Sequence, residues 1–172
     1  MYIIYCHHAN RQKGNPPSQQ DDITDIGVQD AKLFGELLKR SIDKVKVKAI
    51  YTSEFLRCTK TADLINQHIK APVIVDARLN EHGSNFGESW LDTQTRITRL
   101  LDEIVDQYED KDYVICVTSG VNIAPFISKA YGLQPTPNTP YLGVPTCSPI
   151  IFEYKKHLGE NKWKDKTKLQ KS

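Results

Sequence analysis

No stretch of this 172-residue chain is apolar for anything near the roughly 20 residues that a bilayer-spanning helix requires, so no membrane partner is expected. The charges almost balance. Lys and Arg number 23 against 21 Asp and Glu, and the net +2 is too small to argue for nucleic acid. The positive excess collects between Lys162 and Lys171, a polar tail that reads as solvated and frayed. Cysteine is present at Cys6, Cys58, Cys116 and Cys147, but never as Cys-x-x-Cys, which argues against a zinc or redox motif. Neither Cys6 nor Cys116 is followed by the Gly- and Arg-rich loop that a cysteine nucleophile in phosphoryl transfer needs. Both lie in apolar runs and read as buried, reduced thiols of a cytoplasmic protein. Internal repeats and a dividing linker are also missing. A single domain over residues 1–172 is expected, with about 163–172 as its tail.

What is present is an alternation of strand and helix patterns. Residues 2–6 are apolar and rich in β-branched and aromatic side chains; they read as a buried first strand, not a leader. Asn10 to Asp22 is a polar loop with Gly14, Pro16 and Pro17. Thr24 is placed to cap a helix whose inner face is Gly27, Ala31, Phe34 and Leu38. A second strand over 47–51 precedes a second helix marked by Cys58, Ala62, Ile65 and Ile69. Val73 to Val75 is a brief strand, 79–89 a polar loop, and Ile97, Leu101, Ile104 and Tyr108 mark a third helix. Val114 to Val117 is a buried strand that ends in the Ser119–Gly120 turn. A fourth helix is expected from about Asn122 to Tyr131, an irregular loop over 134–149, a last strand over Ile150 to Tyr154, and a turn at Gly159 toward Trp163. The pattern predicts an α/β fold: a three-layer α/β/α sandwich around a mostly parallel sheet.

In such sheets ligands bind at the carboxyl ends of the strands. The segments there carry His7 and His8, Arg57, Glu81, and Ser119 with Gly120. An imidazole nucleophile, a fixed cation and a carboxyl group suit phosphoryl transfer without a metal. The imidazole attacks phosphorus, the guanidinium neutralises the equatorial oxygens, and the acid protonates the leaving oxygen.

Five separated motifs give these residues a context. Met1-Tyr-Ile-Ile-Tyr-Cys-His-His-Ala-Asn10 resembles an opening strand followed by Arg-His-Gly or Arg-His-Ala. Ile23-Thr-Asp-Ile-Gly27 with Ala31 resembles a Leu-Thr-x-x-Gly helix start. Tyr51 to Ala62 resembles Ser-Ser-Pro-Leu-x-Arg-Ala-x-Gln-Thr-Ala. Leu79-Asn-Glu81 and Gly87-Glu-Ser89 resemble Leu-x-Glu and Gly-Glu-Ser. Val114 to Gly120 resembles Val-Val-Ser-His-Gly, and Val144-Pro-Thr-Cys-Ser148 with the strand after it resembles the end of the same pattern. In this order the motifs resemble the histidine phosphatase (phosphoglycerate mutase-like) superfamily, small phosphatase branch, from residue 1 to about 165.

The resemblance implies that His8 is the histidine that takes up phosphate, Arg57 a phosphate-binding arginine and Glu81 the general acid. It implies no cofactor and no metal, and a small phosphorylated molecule as partner. The chain lacks the long insertions of cofactor-dependent mutases, which favours hydrolysis of a phosphomonoester. A second register would make His7 the nucleophile. His8 is preferred because small Ala9 then follows it, where the backbone is expected to approach phosphate.

Two positions depart from the pattern and describe a degenerate active site: His7 replaces an arginine and Ser119 a histidine. Losing one oxyanion donor costs about 10²–10³ in turnover, and two losses in one pocket need not add. Three groups are candidates to compensate: His7 as a cation below its ordinary pKa of about 6.5, the Ser119 hydroxyl, and Arg11 folding back over the phosphate. The alternative is a catalytically silent member that binds a phosphorylated ligand or a protein. His82, beside Glu81, is placed where it could reach the pocket, though solvent exposure is the first expectation; His68 and His157 read as surface residues, and Trp90 and Trp163 as packing residues. The sequence carries no marker of oligomeric state.

Overall fold

The computed structural model describes residues 1–14, 18–43, 46–85, 87–123, 127, 144–154 and 164–165. Its elements are β1 (Tyr2–His7), α1 (Asp25–Ser41), β2 (Val47–Thr52), α2 (Leu56–Ile69), β3 (Val73–Val75), α3 (Trp90–Gln107), β4 (Tyr113–Thr118), β5 (Pro149–Glu153) and β6 (Lys164–Asp165). Single 3-10 turns stand at Ala77–Leu79 and Gly120–Asn122. The sheet order is β3-β2-β4-β1-β5-β6. Strands β1 to β4 run parallel, while β5 lies antiparallel to β1, and β6 antiparallel to β5.

Alternation along the central strands builds the three layers. Ile4 and Cys6 of β1, with Ile115 and Val117 of β4, face Phe34 and Leu38 of α1 and Ile65 and Ile69 of α2. Ile3 and Tyr5, with Val114 and Cys116, face Ile97, Leu100, Leu101 and Ile104 of α3. Both faces are therefore buried, which is why these strands read as continuous apolar runs. On β2 the register slips between Val47 and Ala49, so Val47 and Ile50 share one face, and Ala49 and Tyr51 the other.

The helix starts follow their capping residues. The Thr24 hydroxyl accepts from Gly27 N–H at 3.0 Å. Ser89 and Asp92 form a reciprocal capping box on α3. The expected mostly parallel sandwich is what forms. The strand expected over Ile150 to Tyr154 runs from Pro149 to Glu153, and it is not the last strand, because β6 pairs with its outer edge. The helix expected from Asn122 begins with a 3-10 turn that ends at that residue; Ile123 and Ile127 are helical as expected, and the rest lies outside the described residues, as do Trp163, His157 and most of the 134–149 loop. Among the described residues no helix is long and apolar enough to cross a membrane.

Candidate active site

The carboxyl ends of β1 and β4 lie side by side, His7 paired with Thr118, and the site is built there. His8 follows β1 and is 5% exposed. Its Nδ1–H donates to its neighbour's carbonyl, Ala9 O, at 2.7 Å. That bond fixes the tautomer and leaves a lone pair on Nε2. Arg57 Nε donates to this lone pair at 3.1 Å. Burial, then the neighbouring His7, push the His8 pKa down to about 3, with Arg57 and Arg11 acting in the same direction. His8 is thus a neutral imidazole with Nε2 turned to a guanidinium.

Arg57 stands in the first turn of α2 and is 2% exposed. Its other nitrogens are also used: Nη1 donates to Ser18 O at 3.2 Å, and Nη2 makes a short charged bond to Glu81 Oε2. The guanidinium lies 4.6 Å from the centre of the Phe55 ring. Glu81 follows the 3-10 turn Ala77–Leu79, and the same Oε2 accepts from Ser119 Oγ at 3.2 Å. His8, Arg57, Glu81 and Ser119 therefore form one chain of contacts.

His7 belongs to the same cluster. Its ring centre is 4.5 Å from that of His8, and its Nδ1–H donates to Val144 O at 2.9 Å. The ring covers Gly120, where an added Cβ would lie 2.9 Å from it, so the turn after β4 needs glycine for close approach. Burial lowers the His7 pKa, which moves its cationic form to more acid pH than the sequence suggests. Arg11 is bound by an ion pair to Asp21. It lines both of two adjoining cavities, of about 260 and 320 Å³, which also share Glu81. The smaller holds His7, His8 and Ser119, and the larger holds Arg57, Phe55 and His82.

Three expectations are corrected. Ala9 N–H does not turn to the site but donates to Thr61 Oγ1 at 3.0 Å, and Ala9 packs with Ile23 and Ala31. Its small size serves the fit of α1 and α2 under the loop. His82 is partly buried and lines the larger cavity beside Glu81, the second of the two places expected for it: it stacks on Trp90 with ring centres 3.7 Å apart, and its Nδ1–H donates to Thr93 Oγ1 at 2.6 Å. His68 is half-buried, because it lies over Gly35 of α1. The thiols of Cys6, Cys58, Cys116 and Cys147 are all free, and burial pushes each above its usual range, Cys58 to about 12.

Sequence reading missed the residues that hold the site together. Thr61 Oγ1 accepts from Ala9 N–H and donates to Arg57 O at 2.6 Å, so it joins the two site segments. Thr118 Oγ1 donates to Leu79 O at 2.6 Å. Asn122, fully buried, reaches the same loop. The signal for Asn122 was a polar residue directly after a sharp strand-end turn, which reads equally well as the start of a helix.

Solved structures share this architecture. The Bacillus stearothermophilus protein YhfR is 21% identical, with a TM-score of 0.79 over 99% of this chain and 98% of that one. A mycobacterial glucosyl-3-phosphoglycerate phosphatase in complex with VO3 is 18% identical, with a TM-score of 0.77 over 96% and 97%. The protein histidine phosphatase SixA in complex with tungstate is 12% identical, with a TM-score of 0.68 over 96% and 94%. The fold is thus phosphoglycerate mutase-like. No curated protein sequence matches the chain. The sequence pattern of the histidine phosphatase superfamily (branch 1) matches residues 7–86 and 82–165, and the chain belongs to that superfamily.

Proposed function

We propose that the protein hydrolyses a small phosphomonoester through a phosphohistidine on His8, without a metal. The observation that carries this reading is His8 itself: buried, neutral, locked by Ala9 O in the tautomer that frees Nε2, with Arg57 against that nitrogen. Nε2 attacks phosphorus, and the bond to the leaving oxygen breaks. Arg57 exchanges Nε2 for a phosphoryl oxygen, and the Glu81 carboxyl group, as general acid, gives the leaving oxygen its proton. Water then attacks the phosphohistidine. Glu81 takes that proton back, phosphate leaves, and His8 is restored. With His7 neutral and Ser119 offering one hydroxyl, the pocket holds fewer fixed donors than a cationic residue at each position would supply, and turnover is weakened accordingly.

A second reading, a silent member that binds a phosphorylated ligand, is favoured by one contact. Glu81 already occupies Arg57 and Ser119, the groups that would meet phosphate. Uptake of label from a phosphodonor decides between them, together with hydrolysis of an aryl phosphate. Label on the wild type, none on His8→Ala, and turnover lost by more than about 10³ are expected for the hydrolase. Equal rates for the two proteins refute it. Phosphate binding that depends on Arg57 but gives no label would instead establish the silent binder.

A further inference from the structure

Glu81 sits in a loop with its side chain about 36% exposed, so its direction is not set by burial. It is set from β4. Asn122 is completely buried in the 3-10 turn that follows that strand. Its Oδ1 accepts from His82 N–H at 2.9 Å. Its Nδ2 lies 2.6 Å from Asn80 O and 2.9 Å from Leu79 O. Thr118 Oγ1 is 2.9 Å from the same nitrogen and itself donates to Leu79 O at 2.6 Å.

Asn80 O and His82 N–H belong to the two peptide groups that flank Glu81. One side chain therefore fixes both peptide planes and, with them, the direction in which the Glu81 side chain leaves the backbone. The amide cannot be turned over, because its oxygen would then face two carbonyls and its NH₂ would face an N–H. Buried and satisfied at both ends, it is also costly to remove. The turn carrying Asn122 begins beside Ser119, whose hydroxyl meets the Glu81 carboxylate. Backbone and carboxylate of residue 81 are thus both referred to the end of β4, where His8 N–H also bonds Thr118 O at 2.9 Å.

We infer that Asn122 is a positioning residue for the acid, holding Glu81 at the height at which it protonates the leaving oxygen. This rests on the reading of Glu81 as general acid. General acid catalysis matters most when the leaving group is a poor one. A misplaced acid therefore costs an alkyl phosphate more than an activated aryl phosphate. A merely structural fault lowers both alike.

The test compares kcat/KM for glycerol 2-phosphate and p-nitrophenyl phosphate in wild type, Glu81→Gln, Asn122→Ala and the double variant. The alkyl-to-aryl ratio is expected to fall about 10²–10³-fold in Glu81→Gln and about 10–10²-fold in Asn122→Ala. Adding Asn122→Ala to Glu81→Gln should lower the ratio no further, because Asn122 acts through Glu81. Asn122→Asp has nearly the same volume, keeps the acceptor for His82 N–H and loses both donors to Leu79 and Asn80. It should give the same selective loss, and it serves if Asn122→Ala does not fold. A selective loss in Glu81→Gln with an equal loss on both substrates in the Asn122 variants overturns the inference and leaves the acid in place. No selectivity in Glu81→Gln, or no hydrolysis of either ester by the wild type, overturns both readings.

Discussion

Acid should unfold this protein partly through His8, and the size of the effect follows from the site. In the unfolded chain His8 titrates near the ordinary histidine value of about 6.5. In the fold, burial and His7 push it down to about 3. Between those values the unfolded state binds a proton that the folded state refuses, so stability falls as pH falls through this window. From pH 6.5 to pH 4 this is close to one proton over about 2.5 units, or about 3 kcal/mol at about 1.36 kcal/mol per unit. His7, lowered in the same direction, adds to the loss. The perturbation is His8→Gln, which cannot titrate but offers Arg57 an oxygen. Urea melts at pH 7 and pH 4 are run on both proteins. With a slope of about 2 kcal/mol/M, the wild-type midpoint should drop by about 1.5 M more than that of the variant. Any fixed cost of the substitution cancels, since each protein is compared with itself, and the carboxylates titrate in both. Midpoints that fall in parallel would refute a neutral, buried His8, and with it the lone pair on which the proposed chemistry depends.

His7 gives a second pH signature. Its Nδ1–H is committed to Val144 O, so Nε2 donates to a phosphate only when the ring is a cation, and burial delays that to below the usual 6.5. Phosphate affinity, read by calorimetry, should therefore rise as pH drops below 6.5, and His7→Gln should flatten the rise; a rise of equal steepness in both proteins would refute this role. At Gly27 an added Cβ would stand 2.4 Å from Asn10 O, a backbone atom two residues after His8. Gly27→Ala should cost about 1–3 kcal/mol and lower the melting temperature by about 3–10 °C, as a thermal melt will show.

The two central strands were legible because both their faces are buried, which leaves a plain apolar run in the chain. Val114 to Val117 is such a run. β6 was not legible: two residues inside what reads as a frayed polar tail carry no periodicity, and only pairing with β5 makes them a strand. His82 was legible in part, since its place beside Glu81 brings it to the cavity it lines. A histidine in a polar loop reads as solvated, and nothing local announces that Trp90, eight positions on, will stack over it.

The site divides in the same way. The sequence by itself determined which residues arrive at the strand ends, because strand-to-helix alternation and five ordered motifs place His8, Arg57, Glu81 and Ser119 there. It also determined the family, since motif order survives where overall identity does not. Only the tertiary structure decided the state of those residues. The neutral tautomer of His8 needs the Ala9 carbonyl and the loss of water. The Arg57 fork is spent on three partners from three segments. His7 has its ordinary pKa in the chain and loses it by burial. Desolvation and hydrogen bonding are properties of neighbours brought together by the fold, and residues 7, 57, 81 and 122 become neighbours only after the sheet has formed.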